Sequence, residues 1–280
     1  MKNSNNNSNS HEPPHPLRLA AIDLDGTLLG PDLGISRENR AAIDRLAAAG
    51  LEIVLASGRH YRSMAPYVQQ LPHVHWIVSS QGAEVAKADR SGIVAQNFLR
   101  QPDVRALIDA ASFRADDFTP VYYTADEVLI ATPPNDRIYD YAIVSGRMPI
   151  RATHDDLLNT QVQKIIWIGE PETISALRTD TTLSALGLQG IQTMANLYEF
   201  MPLETTKAWG LQILSDNLGI TPHQVVAFGD AENDIPMFDW AGLSYAMPHG
   251  WQAALTAATR TAPAGPPHTA FARAVDQLLS

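Results

Sequence analysis

The chain has no cysteine. That absence excludes disulfide scaffolds, thiol nucleophiles and thiolate metal sites, so any metal has to sit on oxygen or imidazole. Positive charge is also scarce: 20 Lys and Arg stand against 30 Asp and Glu, a formal net charge of −10. Binding to nucleic acid or to an anionic membrane through a basic surface is therefore not expected, and a small anionic substrate would need a local positive site. No apolar run reaches the roughly 18 to 20 residues that span a bilayer, and the N-terminus lacks the apolar centre of a secretory signal. A cytoplasmic protein is the default expectation.

What is present fits a globular chain. At 280 residues, 45% apolar and 18% charged, it has material for one large domain or for a domain carrying an inserted second one. The first ten residues hold five Asn and three Ser and run into Pro13, Pro14 and Pro16. Such a stretch buries too little apolar surface to order itself, so residues 1–16 are expected to be a floppy tail.

Leu17 to Leu24 is apolar, too short for a helix, and ends in carboxylates, which suits a buried central strand with Asp23 at its carboxyl end. Ser36 then offers a helix N-cap, Ile43, Leu46 and Ala47 share a helical face, Gly50 supplies the stop, and Leu51 to Ala56 resumes a strand pattern. The same alternation returns at Trp209 to Leu218, Gly219 and Val225 to Phe228, with one more strand at 242–246. Alternating strands and helices predict a doubly wound, Rossmann-like parallel sheet whose ligands bind beyond the carboxyl ends of its strands. Asp23, Ser57 and Asp230 all fall at such ends.

About 150 residues separate Ser57 from Lys207, whereas one crossover back into a parallel sheet needs roughly 30. Helix-like segments near 102–113, 135–145 and 171–186 alternate there with strand-like runs at 119–123, 127–131, 162–168 and 197–201. The expected division is therefore a core over 17–98 and 195–280, with an inserted α/β domain over 99–194.

Phosphoryl transfer from a monoester needs an in-line nucleophile, a proton for the leaving alkoxide, and cations against the phosphoryl oxygens. Asp23 and Asp25 flank Leu24 at a strand end, and the chain turns at Gly26, so both carboxylates can address one substrate. Gly229-Asp230-Ala231-Glu232-Asn233-Asp234 follows a second apolar strand and offers the oxygen ligands that hard Mg²⁺ prefers. Read alone, the first motif is also a solvated Asp-Gly turn and the second an acidic helix start favoured by the macrodipole.

Together the residues resemble the haloacid-dehalogenase-like hydrolases, and within them the Cof-type branch of small-molecule phosphatases. The resemblance rests on order: Asp23-Leu24-Asp25-Gly26-Thr27, then Ser57 at a strand end, Lys207 at a helix start, and Gly229 to Asp234. It implies that Asp23 attacks phosphorus to form an aspartyl-phosphate, and that Asp25 protonates the leaving oxygen and then activates water. It further implies Mg²⁺ held by Asp23, the Asp25 carbonyl and Asp230, with Asp234 as a ligand or an orienting neighbour. Ser57, Gly58 and Lys207 would hold the phosphoryl group, with Asn233 positioning Ser57, Lys207 or the phosphate. Arg59 is a candidate substrate contact or an ion-pair partner, and the inserted domain would be a cap that closes over a small phosphorylated metabolite and selects it. Two positions depart from the family pattern: Gln81-Gly82 stands where Asn-Gly is usual, and Pro248-His249-Gly250 replaces Gly-Asn-Ala. His249 reads as a surface loop residue or a substrate contact.

The leading expectation is Mg²⁺-dependent hydrolysis of a sugar phosphate or phosphorylated cofactor. Phosphomutase-type transfer shares the same covalent step. A metabolite-binding or regulatory protein would keep the fold without turnover.

Overall fold

The computed structural model describes residues 16–184 and 186–280. The expected tail therefore lies outside the described residues, Pro16 excepted. Among the described residues fourteen strands form two sheets. In the first half of the chain they are β1 (Leu19–Ile22), β2 (Glu52–Ala56), β3 (Val74–Ser79), β4 (Glu84–Lys87) and β5 (Ile93–Gln96), then β6 (Thr119–Thr124) and β7 (Val128–Ile130). The second half adds β8 (Ile150–Arg151), β9 (Val162–Ile168), β10 (Gln189–Met194), β11 (Leu197–Met201), β12 (Val225–Gly229), β13 (Leu243–Ala246) and β14 (Arg260–Thr261).

The larger sheet runs β14-β13-β12-β1-β2-β3-β4-β5. From β14 to β3 every pairing is parallel, whereas β4 and β5 add an antiparallel edge. Helices cover both faces, as the unbroken apolar strands require. Ala20 and Ile22 of β1 pack with residues of the helices Arg37–Ala48 and Ala270–Leu279, while Leu19 and Ala21 pack with those of Lys207–Leu218 and Ile235–Trp240. This is the doubly wound α/β core that the sequence predicts, with a mixed rather than wholly parallel edge.

Local chemistry sets the connections. Ser36 accepts a hydrogen bond from the Asn39 amide and caps its helix. Gly50, with φ of +86°, takes the chain out of that helix into β2. Thr206 likewise caps Lys207–Leu218 by accepting from the Trp209 amide, and Gly219 ends it in the left-handed region.

The smaller sheet, β10-β11-β9-β6-β7-β8, is antiparallel except between β7 and β8. On one face Ile165, Trp167, Tyr198 and Phe200 pack with the helix Gln101–Phe113. The opposite face carries Tyr123, Lys164, Ile166 and Glu199 by the two-residue period of a strand. Two expectations need correction. Leu197–Met201 pairs with β9 and β10, so the smaller sheet extends past residue 194 and a boundary there would split a hairpin. The helix read over 171–186 is instead the segments Pro171–Ala176, Leu177–Thr179 and Thr181–Ser184, because Asp180 is extended at ψ 105° and its carboxylate accepts from the Leu183 amide. Among the described residues no helix is long and apolar enough to cross a membrane.

Candidate active site

The order of the larger sheet reverses between β1 and β12, and ligands of doubly wound sheets bind at such a switch point. Asp23 directly follows β1 and Asp230 directly follows β12. The Asp23 amide donates to the Phe228 carbonyl at 2.9 Å, which holds the two strand ends side by side. Gly26 makes the intervening turn at φ +81°, and a Cβ there would fall 2.3 Å from an Asp230 carboxylate oxygen. Only glycine lets the first acidic loop lie against the second.

Lys207 Nζ joins the two loops. It lies 2.6 Å from Asp23 Oδ1 and 2.6 Å from Asp234 Oδ1, fully buried. A lysine in the first turn of a helix opposes the macrodipole, so the two carboxylates have to compensate both that and the loss of water. Burial works against the Lys207 charge, yet Asp23 and Asp234 outweigh it and hold the ammonium above its usual range. Asp234 spends its other oxygen on the amides of Asp230 and Ala231, at 2.8 and 3.0 Å.

Three carboxylates therefore face one ammonium. Burial and the neighbouring Asp234 push Asp230 up to about 7. Burial also raises Asp23 well above the usual carboxylate range, with Lys207 only partly opposing it. Asp23 Oδ2 is buried with no hydrogen-bond partner. Ligand oxygens of Asp23, Asp230 and Asp234 lie within 4.8 Å of one another. An all-oxygen set with excess negative charge and an unused buried acceptor fits a hard divalent cation.

Asp25 is placed differently. Its side chain is 44% exposed, and both of its oxygens accept from Arg59, Nε at 2.7 Å and Nη2 at 2.6 Å. Arg59 is therefore paired and buried rather than at the surface, and it also lines the cavity, where its Nη1 has no hydrogen-bond partner. Ser57 directly follows β2, at the strand end where it is expected, its hydroxyl accepting from the Arg59 amide. Asn233 hydrogen-bonds neither Ser57 nor Lys207; its amide donates to Gln81 Oε1 at 3.1 Å. His249 bonds the Gly26 carbonyl at 2.8 Å and lines the same cavity.

Gln81 has a structural role that the motif comparison did not reveal. Ser80, Gln81 and Gly82 all have positive φ, at 52°, 62° and 104°, an unusual run for two residues with side chains. A Cβ on Gly82 would lie 2.0 Å from the Thr206 carbonyl, so the loop sits directly on the cap that starts the Lys207 helix. The longer Gln81 side chain also reaches across to the smaller sheet, where its Nε2 donates to Glu199 Oε2 at 3.0 Å.

Glu199 in turn pairs with Lys164 at 2.9 Å, and Lys164 donates to the Gly58 carbonyl at 2.6 Å. Both side chains are almost fully buried. The sequence did carry a signal for them: each is a single charge inside an otherwise apolar strand, Val162-Gln163-Lys164-Ile165-Ile166-Trp167-Ile168 and Leu197-Tyr198-Glu199-Phe200-Met201. A charge in such a setting needs a buried partner. Between the sheets lies a cavity of about 570 Å³ lined by Asp23, Asp25, Ser57, Asn233 and this pair.

A family model for haloacid dehalogenase-like hydrolases matches residues 20–265. Among curated relatives, a 5-amino-6-(5-phospho-D-ribitylamino)uracil phosphatase of Bacillus subtilis is 28% identical over 87% of this chain and 91% of its own. An HMP-PP phosphatase of Cronobacter sakazakii is 27% identical over 82% of this chain and 84% of its own. In structure, a haloacid dehalogenase-like hydrolase from Bacteroides thetaiotaomicron superposes with a TM-score of 0.81 at 23% identity, covering 94% of this chain and 99% of that one. With the family model matching most of the chain, this protein belongs to the haloacid dehalogenase-like hydrolase family, in its Cof-type phosphatase branch.

Proposed function

We propose that this enzyme hydrolyses a small phosphate monoester with Mg²⁺, through an aspartyl-phosphate on Asp23. The observation that carries the reading is the unpartnered, buried Asp23 Oδ2 inside a carboxylate cluster that Lys207 only partly neutralises. A nucleophile held on one oxygen and free on the other is oriented without being blocked.

Asp23 and Asp230, with the Asp25 carbonyl, would hold the metal, and Asp234 would orient Lys207 and the second acidic loop. Bound there, Mg²⁺ would neutralise phosphoryl oxygens and let two anions approach. Lys207 and the Ser57 hydroxyl, with the Gly58 loop, would take the remaining phosphoryl charge. Asp25 would give its proton to the leaving alkoxide and then accept one from the attacking water. Because Arg59 occupies both Asp25 oxygens, that exchange requires Asp25 to turn away from Arg59 when substrate enters. Residues of the smaller sheet act as a cap: they exclude water and meet the leaving group.

The test is phosphate release from a panel of phosphorylated sugars, nucleotides and cofactors, with Mg²⁺ and after chelation. Turnover should be lost on chelation and in Asp23→Asn, which keeps the hydrogen-bonding shape but removes the nucleophile. Full activity in that variant, or indifference to chelation, would sink the mechanism.

A further inference from the structure

The wall that the smaller sheet turns toward Asp23 has most of its polar groups already committed. One of the Tyr123 and Tyr141 hydroxyls donates to the other at 2.5 Å, which leaves only the accepting one with a proton to give. Ser145 donates to the Arg147 carbonyl, and Thr193 donates to Glu199. Lys164 is divided among Glu199, the Gly58 carbonyl and the face of the Tyr123 ring, 4.4 Å away. Glu199 also accepts from Gln81. What this wall leaves to a ligand is apolar: the two tyrosine rings with Val144, Ile166, Met194 and Leu197. Across the cavity, the core adds Leu33 and Trp251.

Charge is matched in the same way. Among the described residues that line this wall the one cation, Lys164, is paired with the one anion, Glu199; on the core side, beside the reacting centre, Arg59 pairs with Asp25 while its Nη1 has no partner. A second phosphate or a carboxylate far from the reacting centre would meet no uncommitted cation on the wall. A polyol would give up its hydrogen bonds to water and find few replacements, which is the penalty that makes buried unpaired hydroxyls unfavourable. An apolar ring loses nothing there, and tyrosine rings are good partners for another ring. The volume is in the range of sites for metabolite-sized ligands.

We propose that the substrate's leaving group is a neutral, ring-bearing alcohol poor in hydroxyls, packed against Tyr123, Tyr141, Ile166, Met194 and Leu197. The proposal rests on the phosphatase reading above and narrows it, and it sets an open-chain sugar phosphate or a bisphosphate apart from the true substrate.

Three probes separate these classes: benzyl phosphate, sorbitol 6-phosphate and fructose 1,6-bisphosphate, assayed with Mg²⁺. Expected is a kcat/KM for benzyl phosphate at least tenfold above either sugar ester, with the difference mainly in KM. Met194 is 43% exposed, so a change there leaves the core intact. Met194→Lys should raise KM for benzyl phosphate severalfold and raise kcat/KM for the bisphosphate. A sugar ester equal to or better than benzyl phosphate would overturn the proposal. Calorimetry with benzylphosphonate and the phosphonate analogue of sorbitol 6-phosphate ranks the same groups without turnover. A protein that releases phosphate from none of these esters and from none of the wider panel would refute the phosphatase reading, while tighter binding of benzylphosphonate would still support the leaving-group class and weaker binding would refute it.

Discussion

Replacing Lys164 by Met tests whether the buried pair joins the two sheets. Methionine keeps the length and most of the volume of the stem, so the packing around Ile166 changes little. The charge change is severe. Glu199 keeps the donors Gln81 and Thr193, at 3.0 Å each, but loses its one ion-pair partner among the described residues, and the Gly58 carbonyl loses a 2.6 Å donor. Because both side chains are almost completely excluded from water, no solvent screening softens the loss. Breaking a buried pair from one side costs about 3–5 kcal/mol. At about 2–4 °C per kcal/mol for a chain of this size, thermal unfolding should start roughly 6–20 °C earlier. Urea and thermal unfolding at neutral pH provide the assay. The double variant Lys164→Met with Glu199→Gln removes both charges, and it should recover most of the lost stability. A single variant within about 1 kcal/mol of the parent, or a double variant no more stable than the single, would refute the reasoning. Since Gly58 adjoins Ser57, phosphate release by the single variant should fall as well.

His60 gives a pH signature of the same junction. It is fully buried, accepts from the Arg62 amide on Nδ1 and donates from Nε2 to the Thr124 carbonyl of the smaller sheet, which fixes the neutral tautomer. Burial first, with Arg90, Arg62 and Arg147 pushing the same way against the Thr124 bond, lowers it from 6.5 to about 3. The unfolded chain therefore takes up a proton that the folded chain refuses. The stabilisation is complete above about pH 6.5 and disappears as pH falls toward 3, by about 2 kcal/mol between pH 7 and 5. Urea midpoints should fall more steeply with acid in the parent than in His60→Gln; parallel curves would contradict this. Gly82→Ala should destabilise by at least about 1–3 kcal/mol, because its φ of 104° disfavours a side chain and the new Cβ would press on the Thr206 carbonyl. Displacing that carbonyl shifts Lys207, so kcat should fall with stability, which steady-state phosphate release would show.

The catalytic core was legible because its signals are local. Apolar runs ending in carboxylates mark buried parallel strands, and Ser36, Gly50 and Gly219 mark helix ends by their own backbone chemistry. The order of Asp23, Ser57, Lys207 and Asp230 along the chain was enough to name the family. Which side chains touch was not legible. Asn233 meets Gln81 because the strained Ser80–Gly82 turn carries that amide to it from 152 residues away. Leu197–Met201 could be recognised as a strand, but its sheet is decided by pairing with β9, a choice no local pattern encodes.

Arg59 shows the division most clearly. Two residues after Ser57 in sequence, it reads as a candidate substrate contact or an ion-pair partner. In the fold it is buried and bound through two nitrogens to Asp25, because β1 and β2 are neighbours and their loops emerge together. The sequence by itself determined the elements, their polarity and the chemical types at the strand ends, since these depend on residues close along the chain. Tertiary structure alone decided how charges are shared among Asp23, Lys207 and Asp234, how Lys164 and Glu199 bind the two sheets, and how apolar the cavity wall is. Those properties depend on burial and on partners brought together from distant segments, and the energy of a charge is set by both.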